Sequence, residues 1–81
     1  MRNIVLHFGA NYCLPCKSAR QYIKSIGKQD NVHFIDVTKD SILANEYNVK
    51  NIPTFIKLDV GGKEICRFTG YDEILINAMC Q

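Results

Sequence analysis

Tryptophan is absent, proline occurs twice and glycine five times, and neither sign of charge dominates, with ten Lys and Arg against eight Asp and Glu. So few glycines and prolines exclude a collagen-like repeat and a low-complexity linker. A composition that is 47% hydrophobic excludes an intrinsically disordered chain. No apolar run approaches the roughly 20 residues of a membrane-spanning helix, so no membrane partner is expected. The net charge is +2 and no basic cluster stands among interleaved aromatics. The counterion-release footprint of a nucleic-acid binder is therefore missing, and no nucleic-acid partner is expected. The opening Met1–Phe8 has neither the long apolar region nor the small-residue cleavage site of a secretory signal. A cytoplasmic, reducing compartment is the default expectation.

What the chain does have is enough apolar side chain for one core, including four Phe and four Tyr, and four cysteines. Its 81 residues leave room for a single domain over 1–81, expected to be a monomer. A chain of this size buries only roughly 60 to 68% of its unfolded surface, so its margin is thin and each buried polar group needs a partner.

Ile4, Val5, Leu6 and Phe8 form a short run of strand formers that reads as a strand buried on both faces. After the loop Gly9 to Tyr12, Ala19, Tyr22, Ile23 and Ile26 recur at helical spacing, with Pro15 allowed in the first turn and Gly27 suited to the end. Val32 to Val37 predicts a second strand, and Ser41 to Tyr47 a short helix capped by Asp40. Thr54 to Asp59 and Lys63 to Thr69 flank Gly61-Gly62 and predict an antiparallel hairpin. Tyr71, Ile74, Leu75, Ala78 and Met79 supply the stripe of a last helix.

Cys13-Leu14-Pro15-Cys16 admits three readings. As a structural staple, a ring of about four residues contributes roughly 2 kcal/mol, against roughly 4 for a bridge as long as Cys13 to Cys66. As a metal site it supplies two of four ligands, and Cys66, Cys80, His7 and His33 are scattered. As a redox pair it uses its placement. Cys13 falls where the helix begins, so its thiolate is favoured by orphan N–H groups and the positive dipole end. Cys16 lies one turn inside, shielded and close enough to attack a mixed disulfide on Cys13.

The stretch from Val5 through Cys13-Leu14-Pro15-Cys16-Lys17 resembles the active-site strand, loop and helix of thioredoxins. Val49-Lys50-Asn51-Ile52-Pro53-Thr54-Phe55 resembles the same family's second signature, in which the proline follows a cis peptide bond and faces the cysteines. Gly61-Gly62 and Gly70 fall where that family places its hairpin glycines and the glycine before the last helix. The resemblance implies an α/β thioredoxin fold in its minimal βαβαββα form, a four-stranded mixed sheet with helices on both faces. It implies Cys13 as nucleophile and Cys16 as resolving thiol, cycling through a Cys13–Cys16 disulfide with no other cofactor and no metal. Ile52 and Pro53 then form a platform beside the sulfurs, the Ile52 backbone pairing with an extended substrate.

Several positions depart from the family pattern. His7 stands where the family has a buried carboxylate that handles the inner cysteine's proton. Imidazole can do that work, although a lone strand histidine is more often a satisfied core residue. Phe34 falls at the place of the lysine that partners that carboxylate. Tyr12 replaces tryptophan and Leu14 replaces glycine, both on the expected substrate-facing surface. The family's leading strand and helix are expected to be missing, as in glutaredoxins and short phage and archaeal thioredoxins. Asp72 and Glu73 can hold an amine or favour the last helix's N-terminus. Cys66 and Cys80 are expected to be buried or idle thiols, with an intermolecular disulfide as the alternative for Cys80.

The resulting expectation is a thiol–disulfide oxidoreductase that reduces client proteins, ribonucleotide reductase being the family's commonest client for short members. Electrons are expected from a flavin-dependent thioredoxin reductase or from glutathione. The rivals are a glutathione-dependent glutaredoxin and a non-catalytic or zinc-binding module of the same fold.

Overall fold

A strand whose side chains are buried on both faces needs covering from both sides, and β1 (Ile4–Gly9) is such a strand, with Val5 through Gly9 all buried. The computed structural model describes residues 3–81. In chain order α1 (Leu14–Ser25), a 3-10 turn (Gln29–Asn31), β2 (Val32–Asp36), α2 (Ser41–Glu46), β3 (Thr54–Leu58), β4 (Glu64–Thr69) and α3 (Glu73–Met79) follow. The sheet order is β2-β1-β3-β4. β1 runs parallel to β2 and antiparallel to β3, and β3 and β4 are antiparallel neighbours. This is the mixed four-stranded sheet of the thioredoxin-like expectation.

Alternation along the strands divides the core into two layers. Val5 and Phe55 point to one face, where they pack with Ala19 and Ile23 of α1 and Ile76 and Met79 of α3. Leu6, Phe8, Ile56 and Leu58 point to the other and are covered by Leu43 of α2, by Tyr47 at its C-cap and by Val49. Helices thus lie on both faces. Fully burying each such side chain contributes about 1.5–3 kcal/mol, which makes these layers the main support of a short chain.

The element ends follow local chemistry. Asp40 caps α2 by accepting from the Leu43 N–H at 3.0 Å, as the sequence predicts. α2 ends with Asn48 in the left-handed region at φ 55°, and the Val49 N–H returns to the Ala44 carbonyl at 2.9 Å, a Schellman closure. α3 starts at Glu73, two residues later than its apolar stripe suggests, because Asp72 takes the cap position and accepts from the Leu75 N–H. Asp59 leaves β3 to accept from the Gly61 and Lys63 N–H groups, closing the expected hairpin. Among the described residues no helix is long and apolar enough to cross a membrane.

Candidate active site

Cys13 is the N-cap of α1, and its sulfur accepts from the Cys16 backbone N–H at 3.2 Å. The cap sits in extended backbone, held by its own N–H donating to the Ala10 carbonyl at 3.2 Å. Pro15 occupies the first turn, where the N–H it lacks has no helical partner to lose. Cys13 and Cys16 are joined in a disulfide with their Cα atoms 5.2 Å apart. Exposure separates them: Cys13 keeps 9% of its surface open and Cys16 none. An attacking disulfide can therefore reach the outer sulfur and not the inner one, while the helix N-terminus favours negative charge on the outer.

Ile52 packs against Ala10, Cys13 and Cys16, which brings the second signature onto the first. The Ile52-Pro53 peptide is cis and Pro53 is buried. Three contacts hold this loop. The Pro53 carbonyl accepts from the Gly70 N–H at 2.8 Å, and the Thr54 hydroxyl donates to the Asn51 carbonyl at 2.6 Å while lying 3.0 Å from the Thr69 hydroxyl. Among the described residues the Ile52 N–H and carbonyl take no part in these loop bonds. Tyr12 and Leu14 stand on either side of Cys13 in sequence, exposed by 74% and 72%.

On the inner side, Cys16 lies against the backbone of β1. A Cβ at Gly9 would come within 2.9 Å of the Cys16 sulfur and 3.0 Å of the Phe34 ring. His7, two residues earlier on the same face, is completely buried. Strand register puts Phe34 and Phe55 on its two flanks. Its ring stacks on Phe55 at 4.4 Å between centroids and meets Phe34 edge-on at 5.1 Å. Among the described residues neither imidazole nitrogen has a hydrogen-bond partner. Burial pushes the His7 pKa down from 6.5 to about 4, and the Arg20 guanidinium pushes the same way. His7 is therefore neutral at pH 7. Arg20 itself lies over the outer ring, 4.2 Å from the Phe34 centroid.

The structure gathers Cys13, Cys16, Ile52 and Pro53 into one site and puts His7 on the Cys16 face of β1. Phe34 stands beside His7, as its alignment with the family's lysine implies. Three contributors escaped the sequence reading: Gly9, taken there only as a loop residue, Arg20, and the Thr69 hydroxyl. For Gly9 a signal existed, since a small residue before a Cys-x-x-Cys helix allows close approach of the sulfur. Asp72 and Glu73 serve α3, the first as its cap and the second by accepting the Tyr71 hydroxyl. The two remaining thiols differ in depth, and Cys80 meets the expectation of a buried thiol. Cys80 is buried and Cys66 is exposed on β4, so the intermolecular-disulfide alternative assigned to Cys80 fits Cys66 instead. Burial pushes the Cys80 thiol pKa up as well, away from reactivity. Among the described residues no group of three or more His, Cys, Asp or Glu side chains gathers to hold a metal ion.

Residues 1–79 match the family model described as Thioredoxin. Thioredoxin-1 of Drosophila yakuba is 38% identical over 74 residues, covering 86% of this chain and 68% of the relative. Human thioredoxin is 32% identical over 78 residues, covering 93% of this chain and 73% of its own length. The X-ray structure of Fasciola hepatica thioredoxin superimposes with a TM-score of 0.84 at 32% identity, over 98% of this chain and 78% of that one.

Proposed function

The chain belongs to the thioredoxin family and is a thiol–disulfide oxidoreductase acting on disulfide-bearing proteins, and from that premise we propose that Cys13 and Cys16 carry its chemistry. The observation that carries the assignment is their unequal placement, Cys13 open at the cap of α1 and Cys16 hidden one turn inside. In the reduced protein the Cys13 thiolate attacks one sulfur of a client disulfide. A mixed disulfide forms, and the client's other sulfur leaves as a thiolate. Cys16 then loses its proton and attacks the Cys13 sulfur, releasing the client's second thiolate and restoring the Cys13–Cys16 bond. Two electrons pass to the client and each departing thiolate takes up a proton.

Tyr12, Leu14, Ile52 and Pro53 form the surface that receives the client. The Ile52 backbone offers its free N–H and carbonyl to an extended segment, and Tyr12 and Leu14 add apolar contact. His7 acts as the base for Cys16. Its neutral ring, with both nitrogens unpaired among the described residues, supports the role. The disulfide is the only redox group required. A flavin-dependent thioredoxin reductase in the cytoplasm regenerates the dithiol, and ribonucleotide reductase belongs to the clients such a carrier serves. Glutathione is the alternative donor.

The test is turnover of a protein disulfide, run once with NADPH and thioredoxin reductase and once with glutathione and glutathione reductase. The reductase system is expected to support turnover and Cys13→Ser to abolish it. Activity surviving Cys13→Ser, or absent with both donors, would overturn the assignment.

A further inference from the structure

Between α1 and β2 runs an open groove of about 450 Å³, a volume suited to a metabolite-sized ligand. Its charged lining is of one sign. Lys17, Arg20 and Lys24 recur at three- and four-residue spacing, so they share one face of α1. Like charges at that spacing repel one another, and α1 carries no acidic residue to offset them. Among the described residues none of the three joins an ion pair, the salt bridge present being Arg67 with Glu64 on β4. No acid lines the groove from β2 or from the 3-10 turn, where Gln29 contributes an amide.

Two further observations point to a ligand. Completely buried His7 forms part of the groove wall, and among the described residues both its nitrogens are unpartnered. Beside the amide of Gln21 the wall carries an apolar strip made by Ile23, Val32 and Phe34. A bare ion has no use for such a surface.

We propose that this groove binds a small organic oxyanion, its phosphate or carboxylate head held by Lys17, Arg20 and Lys24 and its apolar body lying on Ile23, Val32 and Phe34 beside His7. Arg20 is already planted over the Phe34 ring, so its guanidinium is oriented before the ligand arrives and can take two oxygens of the head side by side. The site is complete in the disulfide form and shares His7 with the proposed dithiol reaction.

The experiment titrates the oxidised protein at constant ionic strength with phenyl phosphate, with benzoate and with inorganic phosphate, followed by two-dimensional NMR. Saturable shifts are expected in the amides of Lys17 through Lys24 and Phe34 together with the His7 ring protons, which no surface screening reaches. Inorganic phosphate should bind more weakly than phenyl phosphate, and the order of phenyl phosphate and benzoate identifies the head group. Arg20→Gln and Lys24→Gln, both at exposed positions, should each weaken binding about tenfold. Shifts that never saturate and spread over all surface lysines, an unmoved His7, or saturable binding untouched by both substitutions would overturn the proposal.

Discussion

His7 breaks the rule that a buried polar group is hydrogen-bonded: it is fully enclosed, pressed between Phe34 and Phe55, and pairs with nothing among the described residues. A residue kept only for packing would be better served by an aliphatic side chain. His7→Leu is therefore expected to raise stability at pH 7 by about 1–3 kcal/mol while slowing release of the client from the mixed disulfide. The sign of the pH effect follows from its lowered pKa. An unfolded chain protonates His7 near 6.5 and the folded one only near 4, so acidification through that window favours unfolding. The loss is on the order of 3 kcal/mol and is complete below about pH 4. Urea denaturation at pH 7.5 and 4.5 should show wild type losing more stability than His7→Leu, and equal losses would contradict the burial account. In the same variant the pH profile of the resolving step should move to higher pH. Superimposable profiles would remove His7 from the mechanism. The sequence put His7 six residues before Cys13 but could not tell a satisfied histidine from an orphaned one, because that depends on what β2 and β3 bring alongside.

At the scale of elements, the site depends on how closely α1 approaches β1. Gly9 permits it, since any side chain there would press on the Cys16 sulfur and the Phe34 ring. Gly9→Ala is expected to destabilise the protein by about 1–3 kcal/mol, as overpacking of a filled core does, and to slow disulfide exchange. Thermal melting and single-turnover kinetics check it, and a variant matching wild type in both would show that α1 can shift without harm. The elements themselves were legible: each predicted strand and helix exists, with ends displaced by one or two residues. The displacements have a common cause. Asp59, Asp72 and Tyr47 serve turns and caps, and a side chain's choice between continuing an element and closing it is settled by hydrogen bonds that periodicity does not record. The 3-10 turn at Gln29–Asn31 left no apolar pattern to read.

At the scale of the molecule, one sheet covered on both faces brings two sequence-distant signatures together, Cys13 to Cys16 at the start of α1 and Ile52-Pro53 before β3. That meeting was readable only through the family resemblance, for no local pattern states which loop faces which helix. The thiols outside the site sort by depth in the same fold. Cys80 is enclosed by the core layer of α1 and α3, while Cys66 faces solvent on the outermost strand. In the proposed cycle the labour is divided between an outer attacking sulfur, Cys13, and an inner resolving one, Cys16. It is tested most directly by trapping: reduced Cys16→Ser is mixed with a disulfide-bearing protein and the products are weighed by intact mass spectrometry, followed by peptide mapping. The account predicts a stable mixed disulfide attached at Cys13, absent from Cys13→Ser. An adduct at Cys66, or equal trapping by both variants, would contradict it.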